Sequence, residues 1–326
     1  MKTSAYRAMV VLLPALGCGP DAGMVEPGTR AGSGESSFAS GVNPAWPKPA
    51  PVEGVNSSST DHQPALSKDG LSLYFASSRP GGEGSSDIWV AQRDCADGCS
   101  WTEPQPVAAV NGSSLDASPT LSRDGHQLFF ASQRAHSHCT PPQTTCTNRD
   151  LWVSYRRDVH DDFRWDEAVN LGDAINSTGE EIAPSYFEND EVGIPQLFFN
   201  RGAIGGDIYV SELVDGVWTK PSEVTALNLP DPVTDQRPSI SHDGLEIYFY
   251  SDRDGTQHLW VATRESVSSS WTTPIPVAFA NDVDAPAIMP FIHSHGRTET
   301  LLFVRPFALG NRDLWISERK RPGRPE

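Results

Sequence analysis

Trp46-Pro47-Lys48-Pro49-Ala50-Pro51-Val52, near the amino end, carries the same pattern as Trp101-Thr102-Glu103-Pro104-Gln105-Pro106-Val107, and Trp46 to Trp101 is 55 residues. The second copy closes a longer unit. That unit runs Asp61-His-Gln-Pro64, Asp69-Gly70, Leu73-Tyr74-Phe75, Arg79, Asp87-Ile88-Trp89-Val90 and then Trp101. It recurs four more times. The later copies begin at Asp116, Glu181, Asp235 and Asp284, and their arginines are Arg134, Arg201, Arg253 and Arg305. The fifth copy reaches Asp313-Leu314-Trp315-Ile316 and lacks a closing Trp-x-x-Pro-x-Pro-Val. The missing piece is the one displaced to residues 46–52. Five units become complete only if the first strand of the chain joins the last unit, which is the signature of a ring.

Each unit holds four short β runs bounded by turn residues. Asp-Gly between the first two runs signals a tight hairpin, because Gly supplies a positive φ at no steric cost. The second and third runs are apolar on both faces, as in a strand sandwiched between neighbouring sheets. The fourth carries Pro104 and Pro106, which suit an outer edge. The expected fold is all-β, a five-bladed β-propeller closed by an N-terminal strand. Its blades are expected near 61–110, 116–174, 181–228, 235–280 and 284–318 plus 43–53, within a domain of 41–320 and before a tail of 321–326.

Composition agrees with this. The chain has 326 residues with 27 Gly, 27 Pro and nine Trp. Gly and Pro at that density exclude a long helical bundle. The formal net charge of −17, without a basic stripe, argues against nucleic acid as a partner.

Lys2 and Arg7 flank a short apolar run, Ala8 to Leu16, which reads as a signal peptide over 1–17. Ala15-Leu16-Gly17-Cys18 resembles the bacterial lipobox, which implies lipidation at Cys18. Gly19 in place of Asp implies sorting to the outer membrane, facing periplasm or cell surface, with the lipid anchor the sole membrane contact. Residues 18–40, rich in Gly, Ser and Pro, read as a flexible tether.

The pattern D-x-x-P-x-x-S-x-D-G-x-x-[LI]-[YF]-F-x-S-x-R…D-[IL]-W-V resembles the WD-repeat-like β-propeller family found in TolB and related bacterial exported proteins. The resemblance covers residues ~43–318 and implies a non-catalytic, envelope-tethered monomer. Such a protein binds an envelope protein or small ligand through its channel mouth and loops, and needs no cofactor. The longest insertion, Gln133–Arg149, is the expected surface for a specific partner. The alternative is an arabinanase-type glycoside hydrolase acting on a polysaccharide, since five-bladed propellers also host such enzymes. A propeller peptidase is excluded because no Gly-x-Ser-x-Gly elbow follows.

Ring topology places Asp61, Asp116, Glu181, Asp235 and Asp284 at one mouth of the channel, with Arg79, Arg134, Arg201, Arg253 and Arg305 on the same face. These are the candidate ligand contacts. Their structural reading is an ion pair from each Arg to the Asp opening the next strand (Asp87, Asp150, Asp207, Asp313), with the first acids holding loop N–H groups. No carboxylate is singled out for catalysis. Cys95 with Cys99 and Cys139 with Cys146 are expected as local disulfides, because the two loops emerge on opposite faces. His136-Ser-His138 and His293-Ser-His295 lie on opposite faces too, in loops, and cannot share a metal ion.

Overall fold

A computed structural model describes residues 46–135, 145–188, 193–202, 206–281, 286–306 and 311–321. The first strand is β1 (Ala50–Pro51). Blade one holds β2 (Asp61–Leu66), β3 (Ser72–Ser77), β4 (Asp87–Gln92) and β5 (Gln105–Pro106). Blade two holds β6 (Asp116–Leu121), β7 (Gln127–Arg134), β8 (Thr145–Tyr155) and β9 (Val169–Asn170). Blade three holds β10 (Glu181–Phe187), β11 (Gln196–Arg201), β12 (Asp207–Val214), β13 (Val217–Trp218) and β14 (Ser222–Glu223). Blade four holds β15 (Asp235–Ile240), β16 (Glu246–Ser251), β17 (His258–Thr263) and β18 (Ile275–Pro276). Blade five holds β19 (Ile288–His295), β20 (Thr298–Pro306) and β21 (Arg312–Lys320), and its outer place is taken by β1.

The inner strands β2, β6, β10, β15 and β19 touch in succession, and β19 returns to β2. The chain is therefore an all-β, five-bladed propeller. Ala50 pairs with Ile316 and Pro51 with Trp315. Trp46 stacks on Phe279 at 5.3 Å, with the Arg319 guanidinium 4.2 Å from its ring. The Asp-Gly turns form as expected, with Gly70, Gly125 and Gly244 at φ of 71°, 76° and 72°.

Burial follows the ring. Apolar side chains form five clusters, one at each junction between adjacent blades. The double-sided apolar runs have their explanation here: Phe75, Phe130, Phe199, Phe249 and Phe303 are wholly buried between neighbours. One junction carries a charged plug. Asp162 accepts hydrogen bonds from Ser72 Oγ, Tyr74 OH, Gln92 Nε2 and Arg156 Nη1 at 2.5–2.7 Å, which ties the loop of blade two to blade one.

An unforeseen element is an asparagine after each blade. Asn111 accepts from Ile88 N at 2.8 Å and donates to Ile88 O at 2.9 Å, so its amide acts as one more strand rung. Asn176 does this for Leu151, Asn228 for Ile208 and Asn281 for Leu259. The fifth rung joins Asn56 to Leu314, at 2.8 and 3.0 Å. The displaced segment that closes the ring thus extends to Asn56.

Every inner strand also bulges. The register slips between His62 and Ala65, Ala117 and Thr120, Ile182 and Ser185, Gln236 and Ser239, and Ile288 and Phe291. Inside each slip a residue at positive φ precedes a proline: Gln63, Ser118, Ala183, Arg237 and Met289, all between 53° and 57°. Proline has no N–H for the ladder, which favours the slip.

This alignment corrects blade five. Pro290, and not Pro286, is the counterpart of Pro64, so the position equivalent to Asp61 is Ala287. Asp284 lies outside the described residues, as do His136, His138 and Cys139. His293, Ser294 and His295 are strand residues paired with Thr300, Glu299 and Thr298, because the blade-five hairpin is longer than the others.

Candidate functional site

The recurring acids and arginines form a structural clamp. Asp61 is wholly buried. It accepts Arg79 Nη2 at 2.7 Å, Ser77 Oγ at 2.6 Å and Ser57 N at 2.6 Å. Asp116 with Arg134, Glu181 with Arg201 and Asp235 with Arg253 repeat the pair. In all five blades the same arginine donates Nη2 to an upstream carbonyl: Val55, Val110, Ile175, Leu227 or Ala280.

Each guanidinium also covers a cross-strand aromatic pair, which explains the F-x-S-x-R…W part of the repeat. Arg79 lies 4.9 Å from Phe75 and 5.3 Å from Trp89, and those two residues are directly opposed. Arg305 lies likewise on Phe303 and Trp315. Glu181 suits its blade because Arg201 sits directly opposite it, whereas Arg79 sits two residues beyond the position opposite Asp61.

The expected ion pair from each Arg to the following Asp is corrected in blades one to four: there the arginine takes the inner-strand acid instead. Asp87 accepts the Gly84 amide at 3.1 Å, and burial raises its carboxyl above the ordinary range. Burial likewise raises Asp116.

The third-strand acids differ from one another. Asp87 and Asp150 are 2% and 0% exposed. Asp207 and Asp313 are half-buried and reachable. Burial lifts Asp207, helped by Glu223, Asp231 and Asp235, and burial lifts Asp313, helped by Asp61. Asp313 Oδ1 is buried without a hydrogen-bond partner.

The channel between the bulges is narrow, a cavity of about 30 Å³ whose wall includes Gln63, Ser118, Ala183, Arg237 and Met289. Here the backbone repeats and the side chains do not. Sequence reasoning passed over this ring because it followed residues that recur. At the opposite mouth a depression of about 390 Å³ is lined by Tyr186, Glu188, His242 and His293 among others. Burial lowers His293 to a pKa of about 4. No cluster of metal-ligating side chains occurs among the described residues.

Cys95 and Cys99 form a disulfide in the loop after β4. Cys146 is disulfide-bonded as well.

No protein-family model matches the chain, and no curated protein matches it. Solved structures do. An α-L-arabinofuranosidase from Podospora anserina is 13% identical, covering 85% of this chain and 97% of its own, with a TM-score of 0.56. An endo-arabinase from Bacteroides thetaiotaomicron is 15% identical, covering 86% and 99%, with a TM-score of 0.57. A putative TolB from Agrobacterium tumefaciens is 15% identical, covering 81% and 79%, with a TM-score of 0.46. The likenesses to the arabinofuranosidase and the endo-arabinase show the fold. They also correct the reading taken from the TolB-type resemblance. The structures that superpose well are mostly arabinofuranosidases and related hydrolases, and the non-catalytic binder is set aside.

Proposed function

We propose that the chain is a five-bladed glycoside hydrolase acting on a polysaccharide at the channel mouth that bears the clamps. The observation that carries this reading is the extent of the superposition: nearly the whole length of an arabinofuranosidase or endo-arabinase is matched, so the domain has the extent of such an enzyme. Glycoside hydrolysis needs one carboxyl that holds its proton for the leaving oxygen and a second carboxylate for water or the sugar. The clamped acids Asp61, Asp116, Glu181 and Asp235 are sealed by arginine and keep the mouth in shape. Asp313 and Asp207 are the half-buried third-strand carboxyls of this face, and Asp313, with an oxygen unpartnered among the described residues and a raised pKa, is assigned the donor role.

The test is release of reducing sugar by the purified protein from a panel of arabinans, arabinoxylans and pectic glycans. Asp313→Asn is expected to lower kcat at least 100-fold with little change in KM. Failure to cleave any polysaccharide of the panel would end this reading. An export route through lipidated Cys18 belongs to the same proposal, since a polysaccharide substrate lies outside the cell.

A further inference from the structure

The channel ring holds a cation that the clamp pattern does not account for. Arg237 is 9% exposed, and its Nε and Nη1 are buried without hydrogen-bond partners. Every other blade places an uncharged residue at this position: Gln63, Ser118, Ala183 and Met289. Arg149 and Arg312 disfavour the charged form of Arg237, while Tyr250, hydrogen-bonded to it, favours that form. Arg149 has its own carboxylate, Glu180, at 2.6 Å. Arg237 has none among the described residues. Burial and the two guanidiniums lower Arg237 to a pKa of about 10, so it remains cationic at neutral pH. Burial and the same field lower His62 to about 3, so that imidazole is neutral.

A buried charge without a counter-charge is expensive, and a chain of net charge −17 has acids to spare for neutralising it. Among the described residues none is placed here. Ser118 Oγ, on the wall of the same cavity, is a further buried hydroxyl without a partner. Arginine donors beside an idle hydroxyl fit an oxygen anion, and the planar fork of a guanidinium matches a carboxylate in particular. The cavity of about 30 Å³ admits one small group and no sugar ring. What enters is a substituent on a larger ligand that sits above it.

We propose that Arg237, helped by Ser118 and by the field of Arg312, receives the carboxylate of an acidic sugar, so that the ligand is a uronate-bearing glycan. Naming that glycan a substrate rests on the hydrolase reading above; the anion site itself does not.

Calorimetric titration of the full-length protein with a tri-galacturonate, a neutral arabinotriose and inorganic phosphate tests this. The tri-galacturonate is expected to bind at least tenfold more tightly than the arabinotriose. Arg237→Gln is expected to erase that difference, and Arg312→Gln to reduce it about threefold. Arg312→Gln and Ser118→Ala keep the test open if removal of Arg237 prevents folding. Equal binding of the acidic and neutral sugars overturns the proposal. So does an undiminished preference in Arg237→Gln. Inorganic phosphate binding as tightly as the uronide also overturns it, since the site would then serve a free anion. If uronide binding depends on Arg237 while no glycan is cleaved, the anion site stands and the hydrolase reading falls.

Discussion

Asp235 and Arg253 show what one clamp does. The Arg253 side chain is 8% exposed and Asp235 is wholly buried, so removing the carboxylate strands a guanidinium between two blades. Asp235→Ala is expected to cost about 3–5 kcal/mol in urea unfolding. Removing Arg164, whose side chain is 88% exposed beside Asp161, is expected to change stability by less than about 0.5 kcal/mol. Acid sensitivity also belongs to this scale. His62 and His293 have pKa values near 3 and 4 in the fold, and both rise toward 6.5 when the chain unfolds. The unfolded chain therefore binds more protons between these limits. The stability due to neutral imidazoles is complete above about pH 6.5 and is lost as pH falls toward 4 and then 3. Urea midpoints measured from pH 7 to 4 should fall, and His62→Gln should flatten that slope. A slope unchanged in the variant would mean that His62 carries its proton in the fold.

At the scale of the element, the asparagine rungs and the proline bulges do work that the repeat pattern half concealed. Asn56→Ala removes two hydrogen bonds that hold β21, and Asn111→Ala removes the equivalent two from β4. Each is expected to cost about 1–3 kcal/mol. Hydrogen exchange separates them: Asn56→Ala should speed exchange at the Leu314 amide and leave the Ile88 amide protected. The four-run units, the tight Asp-Gly turns and the displaced first strand were legible in the sequence, because local patterning and period carry them. Val-Asn at 55–56 and 110–111 was equally visible, yet its meaning was not. An amide that imitates backbone is recognised only when the strand it faces is known. The slip before Pro290 misled the reading of blade five for a similar reason, since two prolines compete there and strand register alone decides between them.

For the whole molecule, five equivalent junctions share the core, so the fold tolerates variation at any one of them while its ends are joined. Among the site residues, recurrence singled out the acids and arginines that pair in four blades, and assigned the arginines the wrong acid. It could not reveal that Arg237 is the odd member of its ring, nor that Asp207 and Asp313 are open while Asp87 and Asp150 are closed. Those differences arise between blades, from which neighbour stands opposite. Deleting residues through Asn56 removes β1 together with the fifth rung. The shortened protein is expected to lose its single cooperative unfolding transition and to expand in small-angle scattering. A compact, cooperative product would show that β21 finds another cover.

The joint between the two ends of the chain is lightly stitched, as is the outer strand of the other blades. β1 meets β21 over two residue pairs, whereas β20 meets β21 over nine. If the amino end is fastened to a surface, mechanical load enters at this seam first, and a steady pull would unlatch blade five before straining any other part of the wheel.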